Sequence, residues 1–303
     1  MSLKALPPPS AELLLHPERD RDYVHFENSR DNPFDCAARE LSKVNAWWLA
    51  DAALLAYWDE GPARPIWARA GLRFEFLSKA GVQCHIGYTK GLVIVSFRGT
   101  QPDDLHDLFD IIRIKHRPWQ FGGSVHEGFL DAHNQIWPCV QRRLEQLDPG
   151  RAATWFTGHS LGGALATLAM DRWPARGLYT IGSPPVGDRR FARGFDRRHS
   201  QRSFRHVNHR DLVVNVAGCP SVLIGNYAHI KVRRYINADG TISRGSASIG
   251  EWFAIARARR LVSRLVNRFV NGQLLALPGA LVDHTPRRYA VLVWNDYASV
   301  QAS

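Results

Sequence analysis

The sequence predicts an α/β domain built on a mainly parallel, doubly wound sheet flanked by helices, and three observations carry that reading. Strand-like and helix-like segments alternate regularly between residues 153 and 207, the pattern of crossover units in a parallel sheet. Leu92–Phe97 is a nearly unbroken apolar run, as required of a strand buried on both faces. A Gly-x-Ser-x-Gly run, Gly158 to Gly162, joins a strand-like to a helix-like segment, the setting of a tight turn at the rim of such a sheet. With 303 residues, 45% of them apolar, the chain is large enough to bury one extended core.

Taken in order, the first thirty residues are polar, contain Pro7-Pro8-Pro9 and show no periodicity. They read as a flexible N-terminal arm (1–30) whose first twenty residues can be deleted without loss of catalysis, ahead of a single catalytic domain (31–303). Cys36 to Trp58 is rich in Ala, Leu and Trp and reads as a long buried helix ending before Gly61-Pro62, with Trp47, Trp48 and Trp58 in the core. Three strands follow, Arg73–Leu77, Gln83–Tyr88 and Leu92–Phe97, with Gly81 and Gly91 in the turns. A helix is expected from Glu127 to Leu147, with Pro138 as a potential kink. The alternating region reads as strand Ala153–Thr157, helix Leu161–Arg172, strand Leu178–Ile181, helix Asp188–Arg197 and strand Ser203–Val207. The tail offers a strand, Ile230–Ile236, closed by Asp239-Gly240, and a helix, Glu251–Val270.

No stretch reaches the roughly 18 apolar residues of a bilayer span, and the N-terminus lacks the apolar core of a secretory signal. A cytoplasmic or peripheral membrane location is expected. Cys36, Cys84, Cys139 and Cys219 lie far apart without Cys-x-x-Cys pairing, which predicts free thiols and no zinc site.

Chemistry concentrates at Gly158-His159-Ser160-Leu161-Gly162. Small residues at 158 and 162 let strand and helix pack closely, lifting the Ser160 hydroxyl out of the sheet at the positive end of the following helix. Ser160 is therefore the candidate nucleophile, and His159, pointing elsewhere, is read as packing. On this architecture the acid and then the base follow in chain order, on loops after later strands. Asp211, beyond the apolar end of Ser203–Val207, is the candidate acid. Asp188 is the alternative, although a helix cap explains it more simply. The histidines after Asp211 are His229 and His284. His229 stands at the entry end of a strand, so His284, in a Val-Asp-His-Thr-Pro loop, is the candidate base, and its neighbour Asp283 is assigned a flanking role. The oxyanion of an acyl-transfer intermediate needs donors: the backbone N–H of Leu161, and Thr100 at the end of Phe97-Arg98-Gly99-Thr100. His206, His209 and Asp211 are not read as a metal site. An odd separation along a strand sends the two imidazoles to opposite faces, and no further ligand arrives at a recognisable spacing. No cofactor is expected.

These pieces occur in the order Val95-Ser96-Phe97-Arg98-Gly99-Thr100, Val125-His126-Glu127-Gly128-Phe129, Gly158 to Gly163, Gly182-Ser183-Pro184-Pro185-Val186-Gly187, Arg205-His206-Val207-Asn208 leading to Asp211, and His284. Over about residues 36 to 295 the set resembles the class 3 (fungal-type) lipase family of α/β-hydrolases. The resemblance implies an α/β-hydrolase fold, Ser160, Asp211 and His284 as triad, Thr100 and Leu161 as oxyanion hole, and metal-free hydrolysis of acylglycerols or phospholipids. Two features depart from the family: the secretory signal of its secreted members is lacking, and Val214 stands where a proline often follows the acid.

Substrate and partner signals lie outside the triad. In the segment 101–124, Leu105, Leu108, Phe109 and Ile112 fall at helical spacing with Asp103, Asp104, Asp107 and Asp110 largely opposite. That amphipathic stretch reads as a candidate lid, and a fixed surface helix fits the same pattern. In Glu251–Val270, Arg257, Arg260, Arg264 and Arg268 form one sector against Val262, Leu265, Val266 and Phe269. Such a helix suits peripheral contact with an anionic membrane, or packing on the domain with its arginines in solvent. The net charge is +11, with eight arginines between Arg189 and Arg210. This field favours anionic partners, but no nucleic-acid-binding signature accompanies it. The reading is therefore a hydrolase of lipid esters. A short-chain esterase on soluble esters and a non-catalytic lipid-binding module are the alternatives.

Overall fold

The structure, a computed structural model, describes residues 2–99, 115–209, 211, 213–214, 227–244 and 279–301. Thr100, most of the candidate lid, Cys219 and the basic helix expected over Glu251–Val270 lie outside the described residues.

A short helix α1 (Ala11–Leu15) precedes α2 (Lys43–Leu55) and α3 (Glu60–Arg69), and then the first hairpins, β1 (Arg73–Lys79), β2 (Val82–Thr89) and β3 (Leu92–Phe97). Beyond residue 115 come β4 (His116–Pro118), β5 (Ser124–His126), α4 (Glu127–Leu147), β6 (Thr154–His159), α5 (Leu161–Arg172), β7 (Gly177–Ile181), β8 (Gly187–Asp188), α6 (Arg189–His199) and β9 (Ser203–Asn208). The described tail holds β10 (Tyr227–Ala228), β11 (Arg233–Ile236), β12 (Ile242–Ser243), α7 (Gly279–Val282) and α8 (Pro286–Gln301).

The main sheet has the order β1-β2-β3-β6-β7-β9-β11-β12. The pairs from β3 to β11 are parallel, and antiparallel strands close both edges. One core cluster joins α2 and α8 to one face of the sheet, with Trp47, Trp67, Trp155 and Trp294 buried in it. The other joins α4, α5 and α6 to the opposite face through Phe97, Ile136, Phe156, Leu165 and Phe191. The doubly wound architecture read from the alternation is thus the one observed. A second small sheet, β10-β8-β5-β4, lies beside it.

Helix α2 is buried on all sides, and polar groups fix its seat. The Ser96 and Thr157 hydroxyls on the sheet donate to the carbonyls of Ala52 and Leu49, each at 2.9 Å. These bonds satisfy two buried hydroxyls that would otherwise be costly. The helix starts at Lys43 rather than Cys36 because the Ser42 side chain caps it by accepting from the Asn45 N–H.

Two helices depart from the sequence reading. Helix α3 runs through Gly61, Pro62 and Pro65, residues that read as breakers. Pro62 falls in the first turn, where the missing N–H has no intrahelical partner to lose. Helix α8 opens with Pro286 at its first position and buries Tyr289, Val293 and Trp294 against the core. The N-terminal segment also differs from the expected loose arm. The side-chain amide of Asn295 accepts from the Lys4 N–H and donates to the Lys4 carbonyl, Arg287 pairs with Asp20 at 2.7 Å, and Leu14, Tyr23 and Phe26 are buried. The buried carboxylate of Asp51 accepts from the Tyr23 hydroxyl (2.6 Å) and the Phe26 N–H (2.7 Å). Isolated aromatics of this kind leave no periodic signal, so composition alone marked the segment as free.

Candidate active site

The carboxyl ends of β6, β7 and β9 lie level: Ser160, one residue beyond β6, donates its N–H to Ile181 at the end of β7, and Ile181 pairs with His206 on β9. Ser160 stands at the turn into α5 with φ 54° and ψ −125°. A non-glycine residue in this region stores about 1–3 kcal/mol of backbone strain, held by the surrounding packing. The flanking glycines explain how the turn is tolerated. A Cβ on Gly158 would collide with the backbone of Gly162, and one on Gly162 with the carbonyl of Phe97. The close packing of elbow, helix and β3 therefore depends on both.

Three residues distant in sequence meet at this rim. His284 Nε2 lies 3.0 Å from Ser160 Oγ, and His284 Nδ1 lies 2.8 Å from Asp211 Oδ2. All three side chains are buried. Asp211 is oriented from two further directions: the Val214 N–H donates to Oδ1 (3.2 Å) and the Tyr289 hydroxyl to Oδ2 (2.6 Å). The Tyr289 hydroxyl itself accepts from the Asn208 N–H at 2.8 Å. The phenol is thereby fixed as donor toward Asp211, and burial with the neighbouring Asp211 charge pushes its pKa well above the ordinary tyrosine range.

His159 holds the other side of His284. Its Nε2 lies 2.8 Å from the carbonyl of His284 and its Nδ1 2.8 Å from the Tyr57 hydroxyl. A carbonyl can only accept, so Nε2 carries the proton and Nδ1 accepts from Tyr57. Burial, reinforced by His284, depresses the His159 pKa well below the usual histidine value, and the ring stays neutral. His159 thus secures the backbone of the loop that presents His284. The sequence reading of it as packing missed this tether, although its position inside the elbow motif was a signal.

The remaining candidates separate from this group. Asp188 caps α6, accepting from the Phe191 N–H at 2.7 Å, and also accepts from the Ser124 N–H. His229 lies against the carbonyl of Val214, and Asp283 pairs with Arg288 at 3.1 Å. His206 is buried and its pKa falls to about 3 through desolvation and Arg234; His209 meets the Tyr235 hydroxyl instead. Among the described residues no group of three or more His, Cys, Asp or Glu is placed to hold a metal ion, and no helix is long and apolar enough to cross a membrane. Leu161 opens α5, where first-turn N–H groups lack intrahelical acceptors. A cavity of about 830 Å³ between the N-terminal segment, the β11–β12 turn and α8 is lined by Asn208, Asp239 and Asp283 but not by Ser160.

Sheet order, the strained serine between β6 and α5, and the Ser–His–Asp contact define an α/β-hydrolase fold. More narrowly, residues 94–221 match the family model described as Lipase (class 3). A lipase of Caenorhabditis elegans, Lipase ZK262.3, is 34% identical over 136 residues, covering 42% of this chain and 38% of that protein. A secreted mono- and diacylglycerol lipase 1 of Fusarium solani is 40% identical over 78 residues, covering 23% of each. The similarity thus spans well under half the length of these curated relatives. Among solved structures, the Rhizomucor miehei lipase propeptide complex aligns with a TM-score of 0.50 at 20% identity, covering 78% of this chain and 88% of that one. That likeness concerns the fold.

Proposed function

We propose that this chain is a serine ester hydrolase acting on lipid esters, acylglycerols or phospholipids, through an acyl-enzyme. The observation that carries the reading is the continuous contact from Ser160 Oγ through the His284 ring to Asp211, at 3.0 and 2.8 Å, on a strained elbow. His284 Nε2 takes the Ser160 proton as Oγ attacks the ester carbonyl. The resulting oxyanion is held by the Leu161 N–H and by Thr100, and His284 returns the proton to the departing alcohol. Water repeats the sequence on the acyl-serine and frees the carboxylic acid. Asp211 holds the His284 tautomer with Nδ1 protonated and stabilises the imidazolium.

The choice of lipid esters is supported by the lipase names of its relatives and, for acylglycerols, by the mono- and diacylglycerol lipase of Fusarium solani. The amphipathic pattern of residues 105–112 supports a lid over the oxyanion side, and the basic amphipathic pattern of residues 251–270 supports peripheral contact with an anionic membrane.

Purified full-length chain should hydrolyse p-nitrophenyl butyrate and emulsified diacylglycerol, and Ser160→Ala, shown to be folded, should hydrolyse neither. Turnover of the soluble ester alone would replace the lipid assignment with a short-chain esterase. Absence of turnover with detergent or vesicles present, alongside vesicle binding indifferent to Ser160→Ala, would replace it with a lipid-binding module.

A further inference from the structure

The opposite edge of the sheet carries a second concave site. Arg176 immediately precedes β7 and Arg202 immediately precedes β9, so both stand at the amino ends of strands whose carboxyl ends present the triad. Five to six residues of strand put about 15–20 Å between the two edges. Here a cavity of about 430 Å³ is lined by five arginines, Arg39, Arg176, Arg197, Arg198 and Arg202, with His199 and without a carboxylate. Its volume falls in the range of small-molecule sites.

Two of the guanidinium groups are held in place by the protein. Arg176 donates from Nη2 to the carbonyl of Ala37 (2.8 Å) and from Nε to that of Ala38 (3.2 Å), uncharged acceptors that leave its charge unbalanced. Arg198 binds Asp171 through Nε and Nη2 at 2.9 and 2.8 Å, which spends one charge and fixes that side chain at the rim. Arg39, Arg197 and Arg202 have no hydrogen-bond or ion-pair partner among the described residues, and burial without a counter-charge lowers the Arg202 pKa. His199, almost wholly buried, spends Nε2 on Asp171 and leaves Nδ1 without a partner. Like charges gathered around one depression repel one another, and an anion relieves the repulsion. Planar guanidinium groups present paired donors that match phosphoryl oxygens in twos.

We infer that this pocket binds a small anion bearing two or more phosphoryl groups, at a site separate from the proposed ester-hydrolysing centre. A bilayer seated against this edge would turn Ser160 away from the lipid, so the orientation favours a ligand that enters the pocket from solution.

The test is calorimetric titration of the full-length chain with sodium tripolyphosphate in 150 mM sodium chloride. The expected result is one saturable site, with affinity reduced at least tenfold in Arg39→Gln/Arg202→Gln. It should be unchanged in Arg189→Gln/Arg190→Gln, which removes the same charge from exposed positions on α6 outside the pocket. Ser160→Ala should bind as the parent does, which separates this inference from the hydrolase reading. Arg202→Lys, which keeps the charge and loses the paired donors, guards against a folding artefact and should lie between parent and double variant. Saturable binding absent from the parent, or equal weakening by both double variants, would overturn the inference. Phosphatidylcholine vesicles with and without phosphatidylinositol bisphosphate give the second arm. Phosphoinositide-dependent binding that tripolyphosphate displaces and the pocket pair weakens would assign the phosphoryl groups to a lipid headgroup. Tripolyphosphate binding without it assigns them to a soluble anion.

Discussion

Two buried aspartate–histidine pairs of nearly equal length stand among the described residues, and their surroundings differ. At the carboxyl edge of the sheet, Asp211 meets Nδ1 of His284 at 2.8 Å, and the far nitrogen, Nε2, faces the Ser160 hydroxyl. At the amino edge, Asp171 meets Nε2 of His199 at 2.9 Å, and the far nitrogen has no partner. The carboxylates also differ in company. Asp211 accepts from the Tyr289 hydroxyl and the Val214 N–H beside its contact with His284. Asp171 accepts from both Arg198 nitrogens and from the Trp119 indole at 2.6 Å, and its charge is already matched. An aspartate beside a histidine is therefore no signature of catalysis on its own. The nitrogen used, and what faces the other one, distinguish the proposed general base, His284, from the anchoring histidine, His199.

The strongest test of this contrast is at the nucleophile. Ser160→Ala should lower kcat/KM for p-nitrophenyl butyrate by about a millionfold while leaving the melting temperature close to that of the parent. Asp211→Asn should cost about ten-thousandfold in kcat at unchanged geometry, because the amide favours the wrong His284 tautomer. Asp171→Asn should do the converse, losing about 3 kcal/mol in denaturant unfolding by stranding Arg198 and His199, with kcat per folded molecule unchanged. A catalytic loss at Asp171 as large as that at Asp211 would dissolve the distinction. Tyr289→Phe removes one charge-assisted donor from Asp211 and should reduce kcat/KM about tenfold with KM little altered.

The anchor also makes a pH-dependent contribution. Burial would raise the Asp171 carboxyl pKa, but hydrogen bonds from His199, Trp119 and Arg198, together with the Arg198 charge, outweigh burial and hold it below the usual carboxylate range. A carboxyl depressed in the folded state adds stability above its unfolded pKa, about 3.9, and loses it as pH falls through the lower folded value. Unfolding free energy measured from pH 6 to pH 2 should therefore decline in the parent below about pH 4, and Asp171→Asn should lack that portion of the decline.

Much of this architecture was legible because its signals are local. Leu92–Phe97, Glu127–Leu147 and Leu161–Arg172 have the bounds that apolar runs and helix periodicity indicate, and the Gly158–Gly162 turn marks its own position through the two glycines that packing demands. Asp211 and His284, the candidate acid and base, were reachable through chain order once the Gly158–Gly162 turn was recognised, since loops at the carboxyl ends of later strands converge on it. Tyr289 was not reachable. It is 78 residues from Asp211 on a helix whose mixed valine and aromatic run resembles a strand, and its role exists only after α8 docks. The tether from Tyr57 through His159 to the His284 carbonyl spans comparable distances. The arginine pocket was visible only as an excess of charge, because Arg39, Arg176 and Arg202 come from three separate connections. The N-terminal segment was misread for a related reason: its attachment rests on single residues, Asp20, Tyr23 and Phe26, each satisfied by a distant partner.

The most direct test of the central claim is covalent capture of the nucleophile. Full-length chain treated with an alkyl fluorophosphonate at neutral pH should gain the mass of one phosphonyl group, map to the peptide containing Ser160 and lose esterase activity in proportion. Asp211→Asn should label far more slowly, and Asp171→Asn at the parent rate per folded molecule. Labelling that persists in Ser160→Ala, or that fails in the folded parent with detergent present, would contradict the assignment of Ser160 as a serine activated by His284.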